Sequence, residues 1–141
     1  MAQKHHAVDI RGKVADTEKI TINLGVIDLG QVDLLVQEGF YSNRTDLIRT
    51  AIRNQLAVHA DVLRQTVARR TLVLGLQEFS KRDLEAIRKS GGRLRIHVLG
   101  LVRIAEDVSP ALARETIESI AVLGALHASP AVRAALADRL H

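Results

Sequence analysis

The stretch that decides the fold is EKITINLGVIDLGQVDLLVQEGFYSNRTDLIRTAIRNQL, Glu18 to Leu56. It opens with strict alternation. Ile20, Ile22 and Leu24 fall on one side of an extended chain, and Lys19, Thr21 and Asn23 on the other. A period of two marks a strand with one buried face, and isoleucine and threonine suit a pleated strand. No second strand lies within hairpin distance, because the following residues turn helical. A lone strand leaves its backbone groups unpaired, and a ribbon without a packed face is marginal. The economical partner is the same strand from a second copy, antiparallel across a two-fold axis. The other option is an edge position in a sheet built with the C-terminal half.

Two helices follow. Asp28 is an N-cap candidate with Gln31 three residues on, a loose capping box. Leu29, Val32, Leu35 and Val36 form one apolar stripe, and Gly39 stands where a glycine ends a helix. Asn43 then caps a second helix, and Asp46 adds negative charge at its positive end. Leu47, Ile48, Ala51, Ile52 and Leu56 give its apolar face, interrupted by Gln55, while Arg49 and Arg53 fall outside. The helical pattern runs on to about Arg70 through Val58, Val62, Leu63 and Val67.

The KITINL strand followed by GFYSNRTDLIRTAIRNQL resembles the ribbon-helix-helix family, the CopG, Arc and MetJ type of bacterial DNA-binding regulators. The resemblance covers about 40 residues. One departure is Asn43, where the family often has serine; both residues cap helices. The resemblance implies an intertwined homodimer with Ile20, Ile22 and Leu24 in its core. It implies that Lys19, Thr21 and Asn23 read base edges in the major groove. Their chemistry fits: lysine donates to guanine, asparagine pairs with adenine, and threonine suits a polar edge or a thymine methyl. It further implies that the helix start at Ser42, Asn43, Arg44 and Thr45 presents backbone N–H groups to a DNA phosphate.

Composition sets limits around this. The 141 residues allow one ordinary domain or two small ones. Aromatics make up only 2%, too few for a base-stacking platform on single strands. There is no cysteine, which excludes disulfides, cysteine zinc sites and thiol nucleophiles and suits a reducing cytosol. Net charge is +4, compatible with a nucleic-acid partner. Residues 1–70 and 71–141 each hold ten Lys+Arg and eight Asp+Glu, so charge does not locate the DNA-binding half. Residues 1–17 are polar and aperiodic, with Lys4, His5, His6, Arg11 and Lys13; a disordered basic arm is expected. No apolar run approaches a membrane span, and no signal-peptide core is visible, so a cytoplasmic, nucleoid-associated location is expected.

The second half carries an internal repeat. Val73-Leu74-Gly75-Leu76 recurs as Val98-Leu99-Gly100-Leu101 and as Val122-Leu123-Gly124-Ala125, at offsets of 25 and 24. A helix-start signal follows each: Ser80, Ser109-Pro110 and Ser129-Pro130. Serine at the N-cap with proline next is a strong start signal, and Gly91-Gly92 is expected to end the first of these helices. Strands alternating with helices suggest parallel pairing, in a small stacked β-α layer whose last helix, AVRAALADRL, could act as a lid. An exposed strand edge or face of this layer is a candidate assembly surface.

Catalytic and ligand motifs are absent. The six histidines form no HxH or HxxxH pair, and the glycines form no phosphate loop. Glu78, Asp83 and Glu85 read as a solvated helix face. No enzyme activity, cofactor or metal is expected. The sequence leads to an α+β chain: a basic arm over 1–17, a ribbon-helix-helix DNA-binding and dimerisation domain over 18–70, and a solenoid-like β-α repeat domain over 71–141 for oligomerisation. The expected function is a sequence-specific repressor on double-stranded DNA. The alternatives are the antitoxin of a toxin–antitoxin pair, and a DNA-organising or plasmid-partition protein that assembles along DNA.

Overall fold

The computed structural model describes residues 17–141; the basic arm over 1–17 lies outside them except for Thr17. The described chain falls into two compact units, Thr17–Thr66 and Val67–His141.

In the first unit, α1 (Val26–Gln37) and α2 (Arg44–Val58) enclose the turn Glu38–Asn43, and α3 (Ala60–Arg69) starts before the unit ends. The start of α1 departs from the sequence reading. Gly25, not Asp28, is its N-cap, and Asp28 lies in the first turn, where a carboxylate favours the helix dipole without capping. Its end is as expected. Gly39 has φ +83, the N–H of Phe40 donates to the carbonyl of Leu35, and that of Gly39 to Val36. This is the paired closure of a glycine-terminated helix. The single long helix expected from Asn43 to Arg70 is broken at His59. There the backbone N–H donates to the carbonyl of Leu56, three residues back, which tightens the turn and ends the α-helical ladder.

Among the described residues, 17–25 form no helix and enter no β-ladder. A strand is defined by its ladder, and among the described residues Lys19–Leu24 enter none. The three-stranded sheet does not include them, so an edge position in an intramolecular sheet is overturned.

The second unit is a parallel sheet in the order β1-β2-β3, with β1 Val73–Phe79, β2 Leu94–Ile104 and β3 Ile117–His127. Helices α4 (Lys81–Lys89), α5 (Pro110–Thr116) and α6 (Pro130–Ala135) follow the strands in turn. The repeat is in register. Val73, Val98 and Val122 align across the sheet; so do Leu74, Leu99 and Leu123, and Gly75, Gly100 and Gly124. Ser80, Ser109 and Ser129 all cap their helices through side-chain oxygens. Ser80 and Asp83 form a reciprocal capping box, so Asp83 is a cap partner and not simply a solvated carboxylate. Glu78 lies in β1, not on a helix.

The core sits between one face of this sheet and the helices. Ile96, Val98, Val102 and Ile104 of β2 and Ile117, Ile120 and Leu126 of β3 are buried with Leu84, Leu112, Ala113, Val132 and Leu136. Alternation places the Leu74–Leu99–Leu123 row on the opposite face. The glycine column has a steric cause. A Cβ on Gly100 would come within 2.2 Å of the Gly75 carbonyl oxygen, and one on Gly124 within 2.0 Å of that of Gly100. Only glycine allows the backbones this approach.

Candidate nucleic-acid interface

The residues marked for base reading, Lys19, Thr21 and Asn23, are exposed. The apolar residues between them are exposed too: Ile20 by 73%, Ile22 by 56% and Leu24 by 42%. The exposure continues into the helices. None of α1, α2 and α3 contains a buried residue, and Leu34, Leu35, Ile52 and Leu56 all face solvent. A unit that stood alone would bury many of these side chains. The first unit alone therefore has no core, whereas the second has a complete one.

At the start of α2, the Asn43 side chain accepts a hydrogen bond from the Asp46 N–H at 2.8 Å, and the Asp46 carboxylate accepts from the Ser42 N–H at 3.0 Å. These two bonds fix the turn that leads into the helix. They also occupy the Ser42 N–H. The first-turn N–H groups of Arg44 and Thr45 point out of the helix start, as helix geometry requires, and the dipole adds positive potential there.

The Arg44 side chain is engaged elsewhere. Its guanidinium donates from Nε and Nη2 to both carboxylate oxygens of Asp33, at 2.7 and 2.8 Å. This bidentate pair ties α2 to α1 across the turn. The hydrogen bond from Arg44 holds the Asp33 carboxyl below its ordinary range and raises the guanidinium in return. The sequence did not announce this pair. Arg49 and Arg53 are exposed on α2, so the outer side of the helix remains cationic.

Among the described residues, no group of histidine, cysteine and acidic side chains is placed to hold a metal ion, and no helix is long and apolar enough to cross a membrane. His97 aligns with Ala121 and His127 with Arg103, so the two histidines do not stack.

Searches of curated proteins and of solved structures returned no match. A family model described as the Ribbon-Helix-Helix transcriptional regulator family matches residues 15–133. The match is far longer than the 40 residues that carry the resemblance in sequence. It takes in all three strands of the second unit and the start of α6, so the β-α repeats fall within the family's pattern. The chain belongs to the ribbon-helix-helix transcriptional regulator family, a family of DNA-binding regulators.

Proposed function

We propose that the protein is a homodimeric transcriptional repressor that reads the major groove with a two-stranded ribbon, one Glu18–Leu24 segment from each copy. The observation that carries this reading is the missing core of the first unit. Ile20, Ile22 and Leu24 stand exposed beside the exposed apolar faces of α1 and α2. A second copy would cover these surfaces and pair its own segment with this one as a ribbon. Lys19, Thr21 and Asn23 would then line the outer face of the ribbon, which is sized for the major groove. The N–H groups at the start of α2, over Asn43, Arg44 and Thr45, would seat on a flanking phosphate. With its side chain committed to Asp33, Arg44 contributes there through its backbone. Ser42 shapes the turn, its N–H being held by Asp46.

Residues 71–141 serve assembly in this reading, as a second contact between copies of the chain. The self-contained core of the second unit favours this over an antitoxin, whose C-terminal tail folds only on its toxin.

The test is DNA binding. Sites would first be found by selection from random duplexes. Lys19→Ala, Thr21→Ala and Asn23→Ala should then each cost about 1–3 kcal/mol at the selected site and leave the fold intact. Wild-type affinity in all three variants would sink the assignment.

A further inference from the structure

The two edges of the parallel sheet are treated differently by the chain. The outer edge of β3 is covered by the C-terminal segment. Arg139 Nη1 donates to the carbonyl of Ile117 at 2.6 Å, the His141 N–H donates to that of Ile120 at 2.8 Å, and Arg133 donates to that of Leu126. Leu140 also bridges to Ile120. The expected lid therefore closes one edge through arginines and backbone.

Among the described residues, the β1 edge has no such cover. Its only ladder among the described residues is with β2. Val73 is 45% exposed, Leu74 70% and Leu76 50%. Proteins blunt long edges with lysine, proline, bulges or inward charges. The strand VLGLQEF has none of these, and its one charge, Glu78, lies at its far end. Gly75 leaves the middle of the edge without a side chain, with open space where its Cβ would be.

We propose that the β1 edge pairs antiparallel, about a two-fold axis, with β1 of a second copy, joining two three-stranded sheets into one of six strands. The occupant follows from three observations. The β3 edge of another copy is closed by Arg133, Arg139 and His141, so head-to-tail growth of the sheet is blocked. A β1 edge is complementary to itself, as an isologous contact requires. The antiparallel arrangement also brings Glu78 of each copy toward the Arg69-Arg70 end of the other, whereas a parallel one would set Glu78 against Glu78. The inference rests on the ribbon dimer in one respect: chains already joined at the ribbon meet at a high effective concentration, so a single strand pair suffices.

The chain lacks cysteine, which makes the test direct. Leu74→Cys, Leu76→Cys and Leu123→Cys would be introduced singly into the full chain. Each is then oxidised at micromolar concentration and followed on non-reducing gels. Leu123 is 49% exposed and lies on β3, so it controls for random collision. Directly opposed strand positions fall within disulfide reach. At least one β1 variant should form a covalent dimer on the order of tenfold faster than Leu123→Cys. Adding Leu76→Lys to Leu74→Cys should abolish the difference. Rates in both β1 variants no faster than in Leu123→Cys would overturn the proposal. Failure of the ribbon looks different: DNA binding is then insensitive to Lys19, Thr21 and Asn23, while the β1 cross-links persist with a rate that rises with protein concentration.

Discussion

Asp33 and Arg44 show what single residues contribute to the candidate interface. Their bidentate pair sets α1 against the start of α2, the same turn that offers N–H groups to a phosphate. The folded pKa of Asp33 is depressed, chiefly by its hydrogen bond from Arg44. A depressed carboxylate contributes stability that is present above the unfolded pKa and lost as pH falls through the folded one. Asp33→Asn should therefore lower the melting temperature slightly at pH 7, since both partners are well exposed. The gap from wild type should close below the ordinary aspartate range. A gap that persists unchanged in strong acid would show that the pair contributes nothing as an ion pair. At this scale the sequence is legible where the signal is local. Asn43, Ser80, Ser109 and Ser129 could be identified as caps because a cap needs only the next three residues. The Asp33–Arg44 pair spans eleven positions and depends on how two helices are set across a turn, which no local pattern encodes.

At the scale of elements, repetition made the second unit readable. Three VLG tripeptides at near-equal offsets lie in register across the sheet, because the same steric demand recurs on each strand. That demand can be tested. Gly100→Ala and Gly124→Ala drive a Cβ into a neighbouring carbonyl, at a backbone φ of +142 and +124. Each should cost about 3 kcal/mol or more. Gly75→Ala meets open space and retains only the strain of its φ of +125, about 1–3 kcal/mol. Urea denaturation of the three variants should rank Gly75→Ala as the mildest, and equal losses would remove the column as the cause. Other boundaries stayed hidden for equally physical reasons. Asp28 looked like a cap because caps and first-turn acids share residue types. The break at His59 carries no glycine or proline. After α3, Thr71 takes φ +54, a left-handed position that glycine or asparagine usually fills, so a threonine there signals no stop.

For the whole molecule, the two units differ in what they need. Val67–His141 has its own buried core, whereas Thr17–Thr66 has no buried residue. The sequence foretold that contrast in part: the lone alternating strand already asked for a second copy, while the repeat asked only for its neighbours. The contrast makes the response to one substitution two-sided. Ile22→Lys places a charge in the surface that a second copy would cover, where an unpaired charge is strongly disfavoured. The ribbon dimer should be lost, and the helices of the first unit with it, since helices of this length draw their stability from packing. The second unit does not depend on that packing. Far-UV circular dichroism should therefore show a partial loss, with the helical signal reduced and the sheet signal kept. DNA binding should fall to the non-specific level. An Ile22→Lys protein that keeps its full helical signal would mean that the first unit folds without a second copy. The exposed faces of α1 and α2 would then need some other cover.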